Sequence, residues 1–240
     1  MTDGFPGFPP ATLKFLRQLR KNNNREWFQA NKATFENQVK TPMHELVLAM
    51  GGPILSLVPQ MAVDPKRAIY RIYRDTRFSP DKTPYKTHLS AIFAPRGVPK
   101  HAGAGFYFEI TPERILVAGG VYMPGKEELL AIRRHIAAHP QELRKIINAR
   151  EFKRNFGEVE GEKLVRAPKD FPADHPAIDL LRYRQFLVSA TEPAKLAESR
   201  KLYSRLLFHF AIMSPLVKFL NAPLTTGAAP VTGFRAFEGA

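Results

Sequence analysis

The sequence predicts an α+β fold, an antiparallel sheet of about five strands flanked by N-terminal and C-terminal helices. Three observations carry this reading. Apolar residues recur at helical spacing up to Asp64-Pro65 and again from Lys126, and between those points they alternate at period two. The connections between successive alternating runs are short, which makes an antiparallel meander the economical topology.

Taken in order, Leu13, Leu16 and Leu19 share one helical face, and Asn22-Asn23-Asn24 ends that helix because asparagine side chains compete for backbone hydrogen bonds. Asn24 caps a second helix, with Glu26 complementing the dipole in its first turn and Phe28, Phe35 and Val39 on its apolar face. Trp27, the one tryptophan, reads as core packing. Thr41 as cap and Pro42 at the first helical position start a third helix, which stops at Gly51-Gly52-Pro53.

Five strands are expected, at 70–73, 87–94, 105–111, 115–122 and 185–189. Gly119-Gly120 inside the fourth run marks a bulge or a close backbone approach. The glycines of 95–105 lack a following Gly-Lys-Ser/Thr and precede a strand, so they match neither a P-loop nor a dinucleotide fingerprint and read as a mobile connection. Helices return at 126–138, where Leu129, Ile132 and Ile136 form the stripe, and at 140–149. A linker at 157–161 and an extended piece around Leu164 follow. Asp174 reads as the cap of a short helix, and Thr191 as the cap of a long amphipathic one carrying Leu196, Tyr203, Leu206 and Phe210. Residues 1–222 form a single domain, and 223–240, small and Gly/Pro-rich, read as a flexible C-terminal tail.

Composition bounds the function. The absence of cysteine from all 240 residues excludes disulfides, thiolate metal sites and cysteine nucleophiles, and it suits a reducing cytoplasm, so a cytoplasmic location is expected. No apolar run approaches the ~20 residues of a membrane helix, and the first residues lack the basic and apolar regions of a secretory signal. A net charge of +14 favours anionic partners such as nucleic acid or a phosphorylated metabolite; the oligomeric state is not encoded in any recognisable pattern.

That charge is concentrated. Between Lys66 and Lys100 nine basic residues face only Asp75 and Asp81, a net +7 and half of the whole. Within this region Ser79-Pro80-Asp81-Lys82 and Thr83-Pro84-Tyr85-Lys86 are two proline turns, so 75–86 is a stiffened hairpin loop. The ligand-binding candidates are Arg71, Arg74, Arg77, Lys82, Tyr85, Lys86 and His88, because guanidinium forks and ammonium groups suit phosphate and carboxylate. Tyr73, Phe78 and Tyr85 offer packing or stacking surfaces. Two readings stand side by side: an outward anion site, or an internal ion-pair network in which Asp75 and Asp81 hold the arginines.

The run Arg71 to His88, together with Asn22 to Phe28, Gly119 to Pro124 and Asp174 to Ile178, resembles the widespread family catalogued as domain of unknown function 2461. The resemblance spans roughly Phe8 to Leu220. It implies a single family domain and carries no assigned activity.

Catalytic templates fit poorly. His135 and His139 are spaced i,i+4 but have no acidic partner motif, so they read as a solvated helix face and no metal site is assigned. No GxSxG elbow is present. Asp174-His175 could pair as base and orienter, but adjacent residues on an extended chain point apart. The best function is therefore an anion-binding domain without a cofactor. One alternative is a magnesium-dependent phosphoester hydrolase with Asp75, Asp81 and Glu109 as catalytic candidates beside Lys82 or Lys86. Another is a protein-interaction scaffold with a basic face.

Overall fold

Four runs of alternating residues do pair into one sheet, in the order of the chain. In the computed structural model, which describes residues 4–225, β1 (Leu89–Phe93), β2 (Gly105–Ile110), β3 (Arg114–Val121) and β4 (Phe186–Pro193) form an antiparallel meander. The expected fifth strand at 70–73 is reduced to isolated bridges. Ile69 pairs with Ala91 and the Tyr70 amide donates to the Ser90 carbonyl, but the chain then leaves the β1 edge to pair Tyr73 with Tyr85. Pro84 has no N–H to extend that pairing into a ladder.

The helices before the sheet are α1 (Pro10–Lys21), α2 (Arg25–Ala30), α3 (Lys32–Phe35), α4 (Thr41–Leu57) and α5 (Pro65–Ala68). Asn24 caps α2 as expected, its side chain accepting from the Trp27 amide. Trp27 is half-buried and packs 5.5 Å from Phe15, in keeping with its core role. Thr41 is not a cap. A π-turn over Glu36–Lys40 carries α3 directly into α4, and Thr41 sits inside that helical run. Nor does Gly51-Gly52-Pro53 end α4. Pro53 leaves the Ala49 carbonyl without its usual helical donor, and the Tyr203 hydroxyl donates to that oxygen at 3.2 Å, so tertiary contact replaces the missing bond.

After β3 come α6 (Lys126–Ala138), α7 (Pro140–Ile147), α8 (Arg150–Phe156) and α9 (Ile178–Leu181), and after β4 a short 3-10 turn leads to α10 (Lys201–Asn221). Thr191 lies inside β4 rather than capping a helix, because the ladder with β3 runs on to Arg114↔Pro193. The short helix α9 starts at Ile178, and there the Nδ1 of His175, not Asp174, accepts from the Ala177 amide at 3.0 Å. In α10 the Ser214 hydroxyl donates to the Ala211 carbonyl left open by Pro215. Of the two histidines spaced i,i+4, His139 is exposed as expected, whereas His135 is partly buried, its ring 4.5 Å from that of Phe219.

Alternation gives the sheet two different faces. Ala91, Phe93, Phe106, Phe108, Ile115, Val117, Phe186 and Val188 are buried, and Phe210 of α10 stacks on Phe106 at 4.9 Å. Gly119 permits this packing, since a Cβ there would lie 2.8 Å from the Met213 sulfur. At Gly120, φ is +118° and a Cβ would overlap the Phe186 carbonyl oxygen, so the glycine pair marks a close backbone approach. Leu224 packs against the core and Thr225 bonds the Asn221 carbonyl; 226–240, the remainder of the proposed tail, lies outside the described residues. Among the described residues no helix is long and apolar enough to cross a membrane.

Candidate functional site

The second face of the sheet mixes apolar and polar side chains and has small residues at its centre. In register across it run Ser90, Glu109 and Leu116, then Ile92, Tyr107, Ala118 and Ser189, then Gly105, Gly120 and Leu187. Small side chains at Ala118, Gly120 and Ser90 leave a cavity of about 460 Å³ there. That volume lies within the usual range for small-molecule sites.

Each wall comes from a segment covering one edge of the sheet. Along β1, the stretch around Tyr70 and the hairpin arm ending at Lys86 supply Tyr70, Lys86 and His88, and the 95–104 connection supplies His101, while its Lys100 lines the adjoining groove with Arg67 and Arg96 and stands over the Tyr70 ring. Along β4, residues 159–163 lie against the outer edge, with reciprocal backbone bonds between Glu160 and Leu187 of 2.7 and 2.9 Å. Uncovered edges would invite foreign strands, so both segments protect the sheet while bringing side chains to the cavity.

The 95–104 connection is held in place, contrary to the expectation of a mobile link. The Arg96 guanidinium donates to the Met61 and Pro59 carbonyls at 2.7 Å each, Lys100 donates to the Arg67 carbonyl at 2.8 Å, and the His101 carbonyl accepts from the Met123 amide. Gly103 allows Pro95 to close against it.

The electrostatics of the β1 wall are unusual. The Lys100 and Lys86 ammonium groups lie 4.0 and 5.0 Å from the Tyr70 ring centroid, and the Tyr70 hydroxyl is 3.4 Å from His101 Nε2. Among the described residues neither lysine has a carboxylate within 4 Å, since every ion pair formed there involves other cations. Burial lowers the pKa of Lys86, and Arg71 lowers it further against the opposing pull of Glu109. Lys100 is lowered by burial and then by Lys86. Burial pushes the Tyr70 phenol up to about 12. His101 and His88 are both lowered, chiefly by burial, so the neutral imidazoles are favoured. Beneath them the Tyr107 hydroxyl donates to Glu109 Oε2 at 2.9 Å, and His88 Nε2 stands 3.6 Å from the same oxygen. Burial first, then Glu109, raises the Tyr107 phenol.

A family model described as a conserved hypothetical protein (DUF2461) matches residues 11–219. The chain belongs to this family. Comparison with curated proteins finds no match. The match covers every element that builds the cavity in this DUF2461 chain, from the segment beneath Tyr70 through β4.

The structure divides the sequence-derived candidates of the DUF2461 chain into two groups. At the hairpin tip, Arg74 pairs with Asp81 and bonds Thr83, Arg77 pairs with Asp75 at 2.7 Å, and Lys82 donates to the Thr76 carbonyl at 3.0 Å. Hydrogen bonds from Arg77 hold the Asp75 carboxyl at about 2, and those from Arg74 do the same for Asp81. Tyr85 is buried and stacks on Phe28 at 4.1 Å, so it packs the domain. Lys86 and His88, by contrast, line the cavity, and Arg71 is exposed near Lys86. Asp75 and Asp81 stay at the tip while Glu109 lies on the sheet, and among the described residues no group of three or more His, Asp or Glu is placed to hold a metal ion. Sequence reasoning missed Tyr70, Lys100, His101 and Glu160. The first belonged to a presumed strand and the others to connections, and no local pattern marks residues that meet only across a sheet.

Proposed function

We propose that the sheet-face cavity binds a small anionic ligand, such as a phosphorylated metabolite, through the ammonium groups of Lys86 and Lys100, with Arg71 at the approach. The observation that carries this reading is the convergence of two partly buried lysines on one tyrosine ring with no carboxylate partner. Lys86 depresses the protonation of Lys100, and Arg71 that of Lys86, so an anion beside them relieves both the repulsion and the desolvation.

The limited volume favours a small ligand over a nucleic-acid strand, and the arginines that a polyanion would need at the hairpin tip already hold that tip's own aspartates. The magnesium-dependent alternative gains no support from Asp75 and Asp81, each held by an arginine. The test is calorimetry with inorganic phosphate, phosphorylated small molecules and a short oligonucleotide. Small phosphates should bind, and Lys86→Ala with Lys100→Ala should weaken them at least tenfold, the scale of one charge-assisted hydrogen bond, about 1.5–3 kcal/mol. Oligonucleotide binding with a log–log salt slope near −0.9 per phosphate contacted, unaffected by the two substitutions, would place the anion site elsewhere.

A further inference from the structure

The cavity is charged oppositely at its two ends, and the acidic end has no counterpart of its own. Glu160 lies exposed at the rim on the β4 side, where its backbone is fixed by the paired bonds to Leu187. Gly161 sets the turn that follows: its φ of +150° and missing Cβ let the Gln185 carbonyl approach closely. The Glu160 carboxylate receives one neutral donor, the Ser189 hydroxyl at 3.3 Å, whereas nearby Glu162 is engaged by Arg184 at 3.0 Å. A carboxylate has about four acceptor positions, so Glu160 keeps capacity facing the cavity.

The distance between the ends limits what can touch both. From β1 to β4 are three interstrand steps of about 4.8 Å, or roughly 14 Å between the two edges. Phosphate alone cannot span that gap. A longer molecule can, lying over Ala118 and Gly120, where the lack of bulky side chains admits a flat or apolar body.

Resting on the anion-site reading above, we infer that the ligand is dipolar: an acidic group against Lys86 and Lys100, an apolar or planar midsection over Ala118 and Gly120, and an amino group donating to Glu160. Opposite charges at the two ends also fix its direction, because the acidic group is repelled at the Glu160 end. Glu160 is thus a specificity residue, set apart from the residues that hold the anion.

Mononucleotides that differ only by amino for carbonyl provide the probe: adenosine and inosine monophosphate, and cytidine and uridine monophosphate, each titrated calorimetrically beside inorganic phosphate. The amino member of each pair should bind about tenfold tighter, as expected for one charge-assisted hydrogen bond. Glu160→Ala should reduce that preference to within about twofold and leave inorganic phosphate bound at least as well. Binding that depends on Lys86 but shows no amino preference, or a preference that survives Glu160→Ala, overturns the dipolar ligand and leaves the anion site standing. Absence of binding by all four nucleotides and by phosphate at millimolar concentration overturns both.

Discussion

Lys100 and Lys86 approach the same aromatic ring, that of Tyr70, from a connection and a hairpin arm separated by the whole of β1. Cation–π attraction to the ring offsets part of their mutual repulsion, which explains how two like charges gather at one tyrosine. The proposed anion site has measurable consequences.

Anion affinity should fall with rising pH earlier than ordinary lysines would dictate. Both ammonium groups have pKa values below the usual 10.5, so each loses its proton at lower pH than an exposed lysine. An anion favours the protonated form; binding therefore takes up protons where the lysines are partly neutral, and weakens as pH climbs through their lowered pKa values. Calorimetry in buffers of different ionisation enthalpy detects the uptake. An affinity that stays flat up to about pH 10 contradicts the assignment.

The hairpin tip should loosen in acid without involving the cavity. Asp75 and Asp81 sit at about 2 in the folded protein, below the ordinary 3.8, so their contribution is complete above 3.8 and disappears as pH falls towards 2. The Thr83 amide, which donates to Asp81 Oδ1 at 2.9 Å, reports the change through hydrogen exchange. Asp81→Asn should speed exchange at Thr83 at neutral pH while phosphate affinity remains as in the parent protein.

Tyr85 should behave as a core residue. Its ring lies 4.1 Å from that of Phe28 at an interplanar angle of 15°, and Asn23 bonds its backbone on both sides. Tyr85→Ala should cost about 3–5 kcal/mol in urea unfolding, as for other buried aromatics, and Tyr85→Phe less than about 1 kcal/mol. A large effect of Tyr85→Phe on ligand affinity with normal stability would instead return this residue to the binding site.

Two glycines should respond in opposite directions to alanine. At Gly120, strain at positive φ and collision with the Phe186 carbonyl predict a loss of at least about 3 kcal/mol. Gly51 lies inside α4, where a new Cβ would meet Val63 at 3.5 Å in ordinary van der Waals contact, so Gly51→Ala should stabilise by roughly 0.5–1 kcal/mol. Denaturant midpoints measured side by side decide both.

Much of the architecture is legible in the chain because it depends on local periodicity. Phe106, Phe108 and Ile110 alternate visibly, Asn24 announces α2, and the motif from Arg71 to His88 indicates the family. Where the reading fails, distant atoms have replaced a local preference. Tyr203 satisfies the carbonyl that Pro53 abandons, so α4 runs past a sequence that looks like a stop. Pairing with β3 similarly draws Thr191 into a strand.

The sequence by itself determined the α+β class, the succession of strands, the family and the concentration of positive charge between Lys66 and Lys100, since each depends on residue type and spacing along the chain. Only the tertiary structure decided where that charge points. Arg74 and Arg77 meet aspartates within their own hairpin, while Lys86 stands with Lys100 at the Tyr70 ring and lines the same cavity as Glu160 at its far edge. The reason is geometric: an ion pair seven residues apart can form within one loop, but a cavity needs side chains from both edges of a sheet, and their meeting depends on strand register and edge packing rather than on any nearby residue.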